Sequence, residues 1–250
     1  MAEGSARPGP LPARPRAEPS SVPALRRPTV TAAKGGAKGK SPRLGTDTRE
    51  RLLDAAERLF ADHGYDGTSL RDIADLAGQN MALSTYHFGT KLRLFEEVVR
   101  RRAVELEAAR LAALARVGTG AAPRAEVVRA LIEAYAVPVI DACYGPSKQW
   151  QSHVRLISQL VSVKRWTPLL RSHYDHCGQI FLDRFREAMP DADPNALLDA
   201  FSFMVATILY VCSYTNRFDR MRTGTRSPED EISSVTENCL RFVHAGFMAL

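Results

Sequence analysis

The chain carries none of the short motifs that mark the common catalytic chemistries. There is no GxSxG elbow, no GxxxxGK[ST] phosphate loop, no GxGxxG turn and no HExxH helix. Hydrolase, nucleotide-binding and zinc-protease readings therefore have no anchor, and neither a cofactor nor catalysis is expected. Cysteine is scarce. Cys143, Cys177, Cys212 and Cys239 are far apart and make no CxxC pair, which excludes a zinc spacing and argues against a disulfide framework. Each lies among apolar neighbours and reads as a small buried hydrophobe. No charge-free run reaches the ~20 residues needed to span a bilayer, and the apolar core of a secretory signal is missing, so a cytoplasmic protein with no membrane partner is expected. Alternating strand patterns and Asn-Gly hairpins are also absent, which leaves an all-α fold.

Charge is present but uneven. The whole chain is formally +6, yet residues 1–45 alone are +7, with nine Lys/Arg against Glu3 and Glu18, so residues 46–250 carry −1. The same stretch holds eight of the fifteen prolines and no aromatic residue. Such a segment cannot bury enough apolar surface to offset its ordering entropy, and residues 1–45 are predicted to be a disordered basic tail. Its prolines rule out the amphipathic helix of a transit peptide. Loose phosphate contacts would suit it; a solubilising leader or a misassigned start codon would read the same way.

From Thr46 onward nearly every segment has helical period. Asp47 or Thr46 can cap a first helix, with Glu50 close to a capping box and Leu52, Leu53, Ala56, Leu59 and Phe60 as its apolar stripe. His63-Gly64-Tyr65 ends it. Thr68 or Ser69 then caps a short helix with Leu70, Ile73, Ala74 and Ala77 on one face; Gly78 supplies a turn, and a second short helix runs from about Met81 to His87 before Gly89. Two short helices around a tight Gly turn form a helix-turn-helix, whose second member can enter a DNA major groove. The alternative is a plain αα-hairpin that serves only packing or binds another protein.

The remaining helices are expected at Lys91 to about Val117, Arg124 to Cys143 with Pro138 as a kink, 147–166, Pro168 to Met189, Asn195 to about Phe218, and Pro228 to Leu250. The Asn195 helix is apolar nearly all round and must be covered on every side. With the last helix it suggests a symmetric four-helix homodimer interface, which would place two recognition helices one DNA turn apart.

Residues 48–99 resemble the DNA-binding domain of the TetR family of bacterial transcriptional regulators, through TRERLLDAAERLFADHGYDGTSLRDIADLAG and then YHFGTKLRLFEEVV. The stretch AGQNMALSTYHFGTK is similar to the PsrA-like branch, some of whose members respond to fatty acids or acyl-CoA. The resemblance implies an N-terminal three-helix DNA-binding domain (46–92), a C-terminal helical effector-binding and dimerisation domain (93–250), and a repressor that leaves a palindromic operator when a small, mostly apolar effector binds. By position, Thr68, Ser69, Tyr86 and Lys91 would touch phosphates, and Asn80, Met81, Thr85 and His87 would face base edges. Arg71 would touch the backbone or pair with Asp75, and core packing remains open for Tyr86 and His87. Gln79 stands where the family usually has an apolar residue, and Ser84 where a Leu, Ile or Val usually anchors the recognition helix, so the contact register is open by one position.

For the effector, the C-terminal part offers Tyr135, Trp150, His153, Gln159, Trp166, Tyr174, Phe181 and Phe203 as an aromatic, sparsely polar lining, although aromatics at helical spacing are commonly plain core. The competing enzyme reading rests on His173 and His176, spaced i, i+3, with Asp175 or His153 as a third metal ligand. No paired carboxylates support it.

Overall fold

The computed structural model describes residues 42–118, 122–213, 221, 223 and 227–250. The expected tail lies outside these residues until it enters the first helix, as do the loop at 119–121 and the expected extension of the apolar helix from 214 to 218. Among the described residues all regular structure is helical: α1 (Pro42–His63), α2 (Leu70–Leu76), α3 (Met81–Phe88), α4 (Lys91–Leu114), α5 (Arg124–Tyr144), α6 (Lys148–Leu160), a 3-10 turn (Lys164–Trp166), α7 (Thr167–Ala188), α8 (Pro194–Cys212) and α9 (Pro228–Met248). The fold is all-α, with an N-terminal helix-turn-helix and a C-terminal helical region.

The first helix starts earlier than its sequence suggested. Pro42 occupies its first turn, where the missing N–H costs nothing. Asp47 is thereby inside the helix and pairs with Arg51 one turn on (2.6 Å) rather than capping. Glu50 likewise reaches Arg101 (3.0 Å) instead of closing a capping box. The expected 147–166 helix is also two pieces. It stops at Leu160, and Val163 is extended (φ −119°) before the 3-10 turn, a break that lets Trp166 swing towards Tyr65 and Phe95 at ring distances of 5.0 and 4.7 Å. Helix α5 continues through Pro138.

Two apolar clusters organise the molecule. One joins Leu52, Leu53, Phe60, Ile73, Phe88, Leu94, Phe95 and Val98 of the first four helices, and is completed by Leu156, Ile157, Leu160 and Trp166. The other is built from α4, α5, α7, α8 and α9, with Val154 of α6, around Tyr135, Phe181, Phe185, Phe201 and Phe247. Helix α4 belongs to both: Leu94, Phe95, Val98 and Val99 serve the first, Leu106 and Leu114 the second. By length and composition α8 is apolar enough to cross a membrane, with 28% of that window buried. Its inner side, Leu197, Phe201, Met204 and Ile208, packs into the second cluster. Its outer side leaves Leu198, Phe203 and Tyr210 exposed, and Phe242 of α9 is exposed as well.

Candidate nucleic-acid interface and the junction behind it

The helix-turn-helix is set by its caps. Ser69, not Thr68, is the N-cap of α2: its Oγ accepts from Asp72 N–H (3.1 Å), and the Asp72 carboxylate accepts from Ser69 N–H (3.0 Å). The Ser69 hydroxyl also donates to this carboxylate (2.6 Å), and that bond first, with the one from Ser69 N–H, holds the Asp72 carboxyl below the usual carboxylate range. Gly78 takes φ +63° and Gly89 φ +71°, left-handed values that a side chain would strain. Asn80 caps α3, its Oδ1 accepting from Ala82 N–H at 2.9 Å.

Helix α3 buries Ser84 and Phe88 and turns the other way Met81, Leu83, Thr85 and Tyr86, all exposed. Tyr86 is 82% exposed, so its ring takes no part in the core, while His87 is half-buried beside it. The register question raised by Ser84 is answered by burial. Ser84 points inward at the anchor position and Leu83 outward. The Ser84 hydroxyl is buried without a hydrogen-bond partner, a cost usually avoided.

Thr68 and Lys91, expected on phosphates, are placed differently, while Arg71 takes its expected alternative beside Asp75. Thr68 is buried and its hydroxyl donates to Gly64 O (2.9 Å), with Leu59 O at 3.2 Å; it closes the α1–α2 connection and its side chain does not reach the surface. Lys91 Nζ donates to Tyr65 O (2.9 Å) and Thr68 O (3.0 Å), and lies 4.2 Å from the Tyr65 ring centre. Its ammonium is thus largely committed to the same connection, with one donor left over. Arg71 stands exposed, 4.0 Å from Asp75.

Of the eight expected effector residues, Tyr135, Trp150, Tyr174 and Phe181 adjoin the second cluster, while Gln159, Trp166 and Phe203 lie apart from it. Tyr135 and Phe181 meet edge-on at 5.0 Å in the second cluster. Trp166 seals the first. Gln159 Nε2 donates to Ala61 O (3.1 Å), tying α6 to α1. Phe203 is 68% exposed on the outer side of α8. Trp150, His153 and Tyr174 surround a buried charge cluster that sequence reasoning missed.

That cluster centres on Glu57 of α1, which is fully buried. Its carboxylate accepts from Arg101 (2.9 Å) and from Arg102 (3.1 Å) of α4, and lies 3.3 Å from His153 Nδ1 of α6. The imidazole is close enough for charge interaction but not aligned for a hydrogen bond, so Nδ1 is buried without one. His153 Nε2 is hydrogen-bonded with Tyr174 Oη of α7 at 2.9 Å, and the Arg102 guanidinium lies 5.4 Å from the Trp150 ring centre. Burial pushes the Glu57 carboxyl up, but the His153 and Arg102 contacts outweigh it and hold it below the ordinary range. Burial lowers the His153 imidazole, only partly opposed by Glu57. A signal was available in sequence: Glu57 falls on the apolar stripe of α1, one turn from Leu53 and Phe60, where a charge demands buried partners.

His173 and His176 make no metal cluster among the described residues; His176 Nδ1 pairs with Glu107 Oε1 at 2.6 Å.

Comparison with known proteins agrees with this architecture. Residues 52–98 match the family described as bacterial regulatory proteins, tetR family, and residues 133–246 match the tetracyclin repressor-like C-terminal domain. The transcriptional repressor AcnR of Corynebacterium glutamicum is 34% identical over 61 residues, 24% of this chain and 32% of that protein. The biofilm-operon negative regulator IcaR of Staphylococcus aureus is 38% identical over 52 residues, 21% of this chain and 28% of its own. These matches thus span about a third of the relatives' length or less. Among solved structures, a TetR-like regulator from Rhodococcus sp. RHA1 aligns with TM-score 0.55 at 16% identity, covering 81% of this chain and 97% of that one. A transcriptional regulator from Saccharomonospora viridis, solved with choline, aligns at 0.53 with 19% identity, covering 79% and 96%. With the recognition helix, its caps and both sequence matches in agreement, the chain belongs to the TetR family of bacterial transcriptional regulators.

Proposed function

We propose that the protein is a ligand-responsive DNA-binding regulator, acting as a repressor that grips a palindromic operator as a homodimer in the cytoplasm. The observation that carries this reading is the outward side of α3. Asn80, Met81, Thr85 and Tyr86 stand clear of the core on a helix that is capped at both ends and seated by Phe88. Amide, methyl and hydroxyl groups on a major-groove helix suit adenine edges, thymine methyls and phosphates. Ser69, Arg71 and His87 flank that surface; Lys91 and Thr68 support it from behind.

The exposed apolar sides of α8 and α9, through Leu198, Phe203, Tyr210 and Phe242, favour pairing with a second copy across a two-fold axis. Such a pair presents two α3 helices to one side of a duplex. The effector is a small, mostly apolar molecule entering the second cluster. It acts by preferring one position of α4, because that helix carries side chains of both clusters; without differential affinity it could shift nothing. Genomic footprinting of the purified protein tests the proposal. Inverted-repeat sites lost on Thr85→Ala/Tyr86→Ala substitution are expected. A strictly monomeric protein indifferent to all duplexes at modest salt overturns it.

A further inference from the structure

The second cluster contains one side chain that does not belong in an apolar core. On α4 the residues Val99, Ala103, Leu106, Arg110 and Leu114 form a continuous buried stripe, and the fourth of them is a guanidinium. Arg110 is 6% exposed. Its Nε donates to the main-chain oxygen of Tyr135 at 2.9 Å, and its Cζ lies 3.6 Å from the centre of the Tyr135 ring. No carboxylate lies within ion-pair reach of it among the described residues. The other inward-facing arginines of α4 differ in this respect: Arg101 and Arg102 share Glu57 and have further carboxylates at 2.9 Å in Asp54 and Glu105.

The groups that touch Arg110 are neutral, with the Glu107 and Asp175 carboxylates farther off. The Tyr135 phenol and the Cys177 thiol adjoin it, and burial pushes both up, so neither supplies a negative charge. Tyr174 is next on the same side of α7, and burial holds its phenol up as well. Beyond them are Phe181 and Phe201, packed edge-on against Tyr135 at 5.0 and 5.2 Å. A guanidinium presents five donors in a rigid fork and remains cationic at physiological pH. Here it is buried against one carbonyl, a ring face, and the Tyr135 phenol and Cys177 thiol within its hydrogen-bonding reach, so no contacting group balances its charge, which is costly.

We propose that Arg110 is the anchor for an organic carboxylate. The effector of the regulator proposed above, on which this inference rests, is then a monoanion with an apolar body. Its carboxylate docks on the Arg110 fork and its body packs among Tyr135, Phe181 and Phe201. The position also connects to the DNA-facing half. Arg110 is eight residues beyond Arg102 on one helix, about 12 Å at 1.5 Å per residue, and Tyr174 beside it is hydrogen-bonded to His153, which abuts Glu57 of α1.

The test is thermal unfolding of the full chain with matched probes: benzoate against benzamide, hexanoate against hexanamide, decanoate against decanamide. At least one carboxylate should raise the transition saturably while its amide, equal in size and uncharged, does not. Arg110→Met should unfold no earlier than the parent without ligand and should lose the carboxylate preference. Should Arg110→Met fail to fold, Arg110→Lys decides, because it keeps the charge but not the fork; its apparent affinity should fall about tenfold. The proposal is overturned if every amide matches its carboxylate, or if the preference survives in Arg110→Met or is undiminished in Arg110→Lys. Retained DNA binding without carboxylate preference discards the anchor and keeps the regulator, whereas loss of all DNA binding by the parent discards the regulator.

Discussion

Replacing Glu57 by Gln tests the buried junction most directly. The substitution keeps the volume and one acceptor oxygen but removes the charge that faces Arg101, Arg102 and His153. Breaking a buried ion pair by removing one partner costs about 3–5 kcal/mol, because the remaining charge is left uncompensated. Here the arginines are not wholly stranded: Arg101 retains Glu50 and Asp54 at 3.0 and 2.9 Å, and Arg102 retains Glu105 at 2.9 Å. The expected loss is therefore at the low end, about 3 kcal/mol. For a chain of this size each kcal/mol lowers Tm by roughly 2–4 °C, so a drop of about 6–12 °C is expected at fixed protomer concentration. Glu105→Gln is the internal control. It removes a different carboxylate from the same Arg102, but one that is largely exposed, and should cost at most about 1 kcal/mol. Calorimetry or urea unfolding of both variants decides the matter. Equal losses for the two would refute the view that Glu57 binds α1 to the helices behind it.

Acidification should weaken the fold in a way traceable to His153. Its folded imidazole stays below the ordinary 6.5, so the unfolded chain takes up the proton first and stability falls as pH drops below about that value. Glu57 adds a second loss of the same sign at lower pH, complete protection holding above about 4.5 and fading as pH falls through its lowered folded value. His173 is lowered too, by burial first, so urea midpoints against pH should become flatter in His153→Gln, though not flat; an unchanged slope would remove His153 from this account. Ser84→Ala should stabilise by about 1 kcal/mol, since it deletes a buried hydroxyl with no partner and adds a better helix former; a loss on denaturant titration would mean the hydroxyl is satisfied. Phe203→Glu should weaken self-association by about 2 kcal/mol per copy, measured by sedimentation equilibrium, and an unaltered dimer would place the interface elsewhere. Removing residues 1–41 should lower affinity for every duplex and flatten its salt dependence while leaving site preference intact; an unchanged salt slope would free the tail of that role.

Much of this architecture could be read from residues alone, for identifiable reasons. Helix order followed from period, and the helix-turn-helix from Ser69, Gly78 and Gly89, whose roles are local and so visible locally, whereas the capping role of Asn80 emerged only from the structure. The start of α1 was misplaced because Asp47-Thr48-Arg49-Glu50 looks like a cap when its long-range partners are unknown; Glu50 in fact turns to Arg101, fifty-one residues on. The same blindness affected Thr68 and Lys91. Both have the chemistry of phosphate ligands, but main-chain oxygens at Gly64 and Tyr65, within their reach only after folding, compete for their donors. The effector list is divided by the fold for another reason, with only Tyr135, Trp150, Tyr174 and Phe181 adjoining the second cluster. Aromatic residues mark apolar surroundings without saying which cluster they join, so Trp166, Phe181 and Phe203 scattered to three separate places. Glu57 and Arg110 were overlooked because each is a charged residue in a stretch rich in charge. Only their phase on the helix, in line with Leu53 and Phe60 or with Leu106 and Leu114, sets them apart.

The sealing of the first cluster by Leu156, Ile157, Leu160 and Trp166 bears on how such a protein can be re-engineered or can evolve. A reading head closed by a lid drawn from the far half of the polypeptide is not a cassette. Exchanging residues 46–92 with those of a relative would graft the new head onto a foreign lid, and the chimaera would inherit voids or clashes along α6 before it ever met an operator. Substitutions are better confined to the outer side of α3, at Met81, Thr85 and Tyr86, whose exposed side chains pack against no part of the core.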